Sequence, residues 1–232
     1  MQTHPDAGKR GRFMKLNGLK INFLGDSITE GCGTSDAGAT FVEILRKECG
    51  LAAARNYGIG GTRLARQRVP SLEPIIDRDF CSRIADMDPE ADVVVVFGGT
   101  NDYGHGDAPF GVREDRTADT FYGACHELFT ELKKKYPAAR IVVITPLHRC
   151  NETDPKGDGR KAVSCPPLKA YAGVIREVAE LYGLPVLDLF AKRVLDPNDP
   201  MVLKELVPDG LHPNDAGHVV LAREIKAFLE EQ

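Results

Sequence analysis

The chain predicts an α/β protein in which a parallel sheet carries helices on both faces. Three observations carry that prediction. Strand-like and helix-like runs alternate five times along the sequence, as consecutive βα units do. One run, residues 92–97 (DVVVVF), is β-branched almost throughout, as expected of a strand covered on both sides. The segments between the strands keep an apolar period of three to four residues, which lays one stripe along a helix.

Taken in order, residues 19–24 (LKINFL) form the first strand. Phe41, Ile44 and Leu45 then mark a helix that ends near Gly50. Residues 54–57 make a short second strand and residues 92–97 the third. Phe121, Cys125, Leu128 and Leu132 lie at spacings of four, three and four, and Pro137 closes that helix. Residues 140–145 (RIVVIT) are the fourth strand. Leu168, Tyr171, Ala172, Ile175, Val178 and Ala179 form another stripe, stopped by Gly183. Residues 185–189 are the fifth strand. The last helix uses Leu221, Ile225, Phe228 and Leu229, with Asn214 as its N-cap after Pro213. Irregular stretches at 98–113 and 148–167 both follow strands, so both should overhang one edge of the sheet, where α/β proteins bind ligands.

At 232 residues, 42% hydrophobic and 28% charged, the chain suits one globular domain with a core that needs no metal or disulfide staple. We expect that domain over residues 14–232, with residues 1–13 a polar, disordered lead-in or an oligomerisation arm. The lead-in lacks the apolar centre of a signal peptide, and no segment is long enough to span a bilayer. A net charge of -4, with both signs interspersed, leaves no basic footprint for nucleic acid. Six scattered cysteines without a CxxC pair suit free thiols in a reducing cytoplasm, a Cys150–Cys165 bridge being the lesser alternative. The sequence is compatible with a homo-oligomer.

Four short motifs stand out. Three follow strands: Gly25-Asp26-Ser27-Ile28-Thr29, Gly58-Ile59-Gly60-Gly61-Thr62 and Gly99-Thr100-Asn101-Asp102. The fourth, Asp209-Gly210-Leu211-His212, precedes the last helix. Singly, each has a plain structural reading. Ser27 could cap a helix, the glycines could form a tight turn, Asn101-Asp102 could close a loop, and Asp209 with His212 could be a surface pair. Together they supply what acyl transfer needs. A hydroxyl nucleophile requires a base, the base an orienting carboxylate, and the tetrahedral intermediate a set of converging hydrogen-bond donors.

This order of motifs resembles the GDSL or SGNH hydrolase superfamily of esterases, lipases and carbohydrate deacetylases. The resemblance implies a three-layer α/β/α sandwich with a flavodoxin-like, five-stranded parallel sheet. It implies Ser27 as nucleophile, His212 as general base and Asp209 as the group that orients His212. The backbone N–H groups of Ser27 and Gly61 and the side-chain amide of Asn101 would form the oxyanion hole. Gly60 competes with Gly61, and the family's Ile-small-Gly step favours Gly61. No metal and no organic cofactor is implied. The serine is outside a GxSxG elbow, so the α/β-hydrolase fold is not supported.

Arg63, Tyr103 and His148 are candidate substrate contacts, because each lies in or beside a segment that follows a strand. His105, in the loop after the Asn101 motif, reads like His148 as either a substrate-side or a surface residue. Asp26 has a structural task, and His126 and His218 lie within helices. The loops over the site, 151–161 especially, are polar, which favours a short or acetyl ester, as on a carbohydrate. A lysophospholipase- or thioesterase-type acylhydrolase is an alternative. Two further alternatives come from other classes. A metal-dependent phosphoesterase would need clustered His and Asp ligands that the sequence does not show. A non-catalytic flavodoxin-like binding module would hold an anion at the Ser27 loop and leave Asp209 and His212 without a task.

Overall fold

The computed structural model describes residues 14–232, so the expected 1–13 lead-in lies outside the described residues. Five strands, β1 (Lys20–Gly25), β2 (Ala53–Gly58), β3 (Val93–Phe97), β4 (Arg140–Ile144) and β5 (Val186–Leu187), form one sheet in the order β2-β1-β3-β4-β5. Every neighbouring pair is parallel. This is the flavodoxin-like order, with its switch point between β1 and β3. The helices are α1 (Ser27–Glu30), α2 (Phe41–Glu48), α3 (Phe80–Arg83), α4 (Thr100–Gly104) and α5 (Phe121–Lys135), followed by α6 (Leu168–Leu181), α7 (Leu189–Lys192), α8 (Pro200–Glu205) and α9 (Asp215–Glu230).

Because successive strand side chains point to opposite faces, β3 divides its own valines between two cores. Val94 and Val96 pack with Phe80, Phe121, Leu128 and Val178 of α3, α5 and α6. Val93, Val95 and Phe97 pack with Phe41, Leu45, Leu221 and Ile225 of α2 and α9. The result is three layers, helix–sheet–helix. It explains why β3 reads as an unbroken apolar run while the helices read as stripes.

The expected cap at Asn214 is present, and α5 has one at Thr120. Asn214 accepts a hydrogen bond from Gly217 N–H at 3.0 Å, and Thr120 accepts one from Gly123 N–H at 3.1 Å. Two expectations need correction. The fifth strand is two residues long, because Asp188 turns inward to cap α7 through Ala191 N–H at 2.9 Å. The stretch after β3 also begins with a helix, α4. All six cysteines are unbridged, Cys150 and Cys165 included. Among the described residues no helix is long and apolar enough to cross a membrane.

Candidate active site

The loops after β1, β2 and β3 and the segment before α9 meet at the C-terminal edge of the sheet. Asp26, not Ser27, is the N-cap of α1: its Oδ1 accepts from Ile28 N–H at 3.1 Å. Ser27 is therefore the first helical residue, where a backbone N–H has no partner within the helix. Asp26 is buried, and burial pushes its carboxyl up to about 6, against the opposing pull of the Ile28 N–H and His212. The Ser27 side chain is itself nearly covered, at 6% exposure.

Ser27 Oγ lies 3.0 Å from His212 Nε2, although the two residues are 185 positions apart. His212 Nδ1 lies 2.7 Å from Asp209 Oδ2. The other oxygen of Asp209 accepts from the backbone N–H of Leu211 at 2.9 Å and of His212 at 2.7 Å. Burial works against the Asp209 charge, but these N–H groups and the His212 ring hold the carboxyl below its ordinary value. Gly210, at φ +78°, makes the turn, and its carbonyl is held by Cys150 N–H at 2.8 Å. A side chain at Gly210 would meet Cys150 Sγ at 2.5 Å, so the loop is seated closely against the segment after β4.

The second glycine block is sorted by its neighbours. Gly60 N–H donates to Glu30 Oε2 at 2.7 Å and is thereby occupied. Among the described residues Gly61 N–H makes no such bond. The Asn101 amide donates to the Thr62 carbonyl at 2.9 Å, which fixes its orientation and leaves its second hydrogen uncommitted. Asp102 is buried and receives the N–H groups of Leu64 at 3.0 Å and Ala65 at 2.9 Å, and burial pushes it up to about 6.

The three expected substrate contacts are otherwise engaged. Arg63 is buried, and its guanidinium donates to the Gly61 carbonyl at 3.0 Å, the Ile76 carbonyl at 2.9 Å and Asp77 at 3.3 Å. Tyr103 is wholly buried, and its hydroxyl donates to the carbonyls of Asn151 and Asp154, tying the loop after β4 to α4. His148 is buried between Glu152, 2.9 Å from its Nδ1, and the Phe190 carbonyl, 2.9 Å from its Nε2. Its ring stacks on Phe190 at 3.9 Å. His105 does reach the site's wall, with Nε2 3.2 Å from the Gly61 carbonyl.

Sequence reasoning missed Arg83. This buried guanidinium donates to Thr62 Oγ1 at 2.8 Å, to the Gly25 carbonyl at 3.0 Å and to the Tyr57 carbonyl, so it pins the ends of β1 and β2 and the glycine loop together. Burial lowers it to about 10. Glu30 was missed as well, and its place in the first turn after the serine was the one available signal. The phosphoesterase alternative required clustered ligands; among the described residues no three His, Cys, Asp or Glu side chains converge as a metal site would.

A serine hydroxyl facing an imidazole that a carboxylate orients, beside unoccupied N–H donors, is competent for acyl transfer. Carried on a flavodoxin-like three-layer sandwich, it defines the ester hydrolases of that architecture. Residues 23–220 match the GDSL-like Lipase/Acylhydrolase family, and the chain belongs to it. It is a carboxylic ester hydrolase of the GDSL/SGNH superfamily. The chain is similar to an acetylxylan esterase of Geobacillus stearothermophilus, with 28% identity covering 94% of this chain and 96% of that one. A solved structure 32% identical superposes with a TM-score of 0.80, covering 93% of this chain and 98% of the other. A Lactobacillus plantarum protein 29% identical gives a TM-score of 0.77, with 92% and 97% covered.

Proposed function

We propose that this esterase acts through an acyl-Ser27 intermediate and that its substrate is an acetyl ester of a carbohydrate. The observation that carries the mechanism is the 3.0 Å contact from Ser27 Oγ to His212 Nε2, continued at 2.7 Å to Asp209. In the first step Ser27 Oγ attacks the ester carbonyl while its proton passes to His212 Nε2. The Asp209 carboxylate holds the Nδ1 proton and stabilises the imidazolium. The carbonyl oxygen gathers negative charge among Ser27 N–H, Gly61 N–H and the Asn101 amide, donors in place before the charge develops. Collapse expels the alcohol, which takes the proton from His212. Water then repeats the sequence on the acyl-serine, releasing the carboxylic acid and restoring Ser27. In this reading Glu30 selects the donor by occupying Gly60 N–H.

The acetyl-carbohydrate assignment is supported by the likeness to a relative named acetylxylan esterase and by polar loops over the site. A second reading, hydrolysis of longer acyl esters, is favoured by exposed Leu72 and Ile75, on the segment whose Ile76 packs against Gly61. The deciding experiment measures acetate release from acetylated xylo-oligosaccharides by wild type and Ser27→Ala, with circular dichroism as the folding control. We expect a folded variant slowed by about 10⁴-fold or more. Wild-type rates in the variant overturn the acyl-serine mechanism. Faster turnover of octanoyl than acetyl 4-nitrophenyl esters replaces the acetyl assignment with the second reading.

A further inference from the structure

A cavity of about 580 Å³ opens on the far side of His105, between residues 67–71 of the segment after β2 and residues 160–166 of the segment after β4. Its size falls within the range of small-molecule sites. His105 lines it and at the same time meets the Gly61 carbonyl at 3.2 Å, so one side chain is shared between the cavity and the wall of the ester site. Lys161, on the opposite side, donates from Nζ to the Asp102 carbonyl at 2.7 Å and to the Gly106 carbonyl. The cavity is thus braced against the same two segments that carry Gly61 and Asn101. Phe110, half-buried, gives it aromatic surface and is backed by the buried Tyr171, with ring centroids 4.9 Å apart.

Its charge is opposite to that of the whole protein. Arg68, Arg160 and Lys161 line it against a single carboxylate, Asp107, in a chain of net charge -4. Both oxygens of Asp107 are already occupied, by the backbone N–H groups of Arg68 and Val69 at 2.7 Å each. Among the described residues neither the Arg68 nor the Arg160 guanidinium has an ion-pair partner. Three other arginines near the site are paired, Arg63 with Asp77, Arg66 with Asp79 and Asp119, and Arg149 with Asp158. The neighbouring Asp158 carboxylate is shared by Arg149 and His105.

We infer that this cavity is a second substrate subsite, taking a sugar that bears a carboxylate, such as a uronic acid, on the alcohol side of the ester. The inference rests on the proposed acetyl-carbohydrate reading, under which the acyl group is too small to occupy the cavity and the alcohol is the large partner. The sugar ring lies against Phe110, and its carboxylate accepts from Arg68 and Arg160, as guanidinium forks suit planar carboxylates.

The test compares three acetyl esters: 4-nitrophenyl acetate, a neutral acetylated xylo-oligosaccharide, and the same oligosaccharide with one uronic acid substituent. At low ionic strength the wild type should show a KM about tenfold lower for the acidic than for the neutral oligosaccharide, with the advantage shrinking as salt is added. The double variant Arg68→Gln/Arg160→Gln should lose that advantage and keep its rate on 4-nitrophenyl acetate. A wild type without the preference, or a double variant that retains it, overturns the subsite. If no acetyl ester is turned over in a Ser27-dependent way, the proposed function fails instead. Calorimetry of the free acidic oligosaccharide on Ser27→Ala then decides the cavity alone. Binding weakened by the arginine substitutions supports it, and absent or unchanged binding refutes it.

Discussion

Two carboxyls beside the ester site, Asp26 and Asp102, are buried and titrate near 6 in the folded protein, above the 3.8 of an exposed aspartate. Each favours the folded state while protonated and opposes it once ionised, so their contribution falls as pH rises from about 4 to about 6. Asparagine does not titrate. The stability of wild type relative to Asp102→Asn should therefore decline across that window and level off above it, measured by urea unfolding at a series of pH values. A relative stability that rises with pH would refute the shift. At this scale the sequence was legible where chemistry sits in short motifs: Ser27, Asp209 and His212 meet as the motif order and its family resemblance implied. It was opaque where a side chain's partners come from distant segments. Arg63 and Tyr103 stand close to the motifs in sequence and His148 follows the fourth strand, yet Ile76, Asn151 and Phe190 claim their polar atoms.

Among the elements, α1 is positioned by the strand beside it. A β-carbon added at Gly58, the last residue of β2, would lie 2.1 Å from the backbone N and 2.6 Å from the Cα of Glu30. Only glycine lets α1 lie so close to β2, and α1 carries Ser27 at one end and Glu30 at the other. Gly58→Ala should therefore push α1 outward, costing about 1–3 kcal/mol of stability by overpacking. It should also lower kcat more than KM, because Ser27 moves relative to His212; a variant with wild-type kcat would show that the helix is not so constrained. The four long helices were readable because ten or more residues, or a strong stripe over eight, display the helical period. By contrast α1, α3, α4, α7 and α8 have four to six residues each, too few for a period, and all but α4 start at an aspartate cap. The same limit shortened β5, whose last apolar residues belong to a capped turn.

Over the whole molecule, strand order converts sequence order into a single working edge. β1 and β3 lie side by side at the centre, so the segments after them, with that after β2, converge where the sheet's connections diverge. The helices contribute from both layers: α9 packs with α2 against one face of the sheet, and the loop that precedes α9 supplies Asp209 and His212. Long-range closure of this kind comes late, since the entropy of joining distant segments must be met before their contacts form. Refolding from urea should accordingly restore far-UV ellipticity before esterase activity, while simultaneous recovery would show that the C-terminal loop docks with the first strands. The 185-residue separation of Ser27 from His212 has a further consequence during synthesis. Under the proposed mechanism a growing chain holds its nucleophile long before its base, with four of the five strands, β2 to β5, made in between. On that mechanism ester-cleaving power works as a completion signal: ribosome-bound intermediates and fragments clipped before residue 209 should stay silent, and only a chain carried past His212 should turn over substrate.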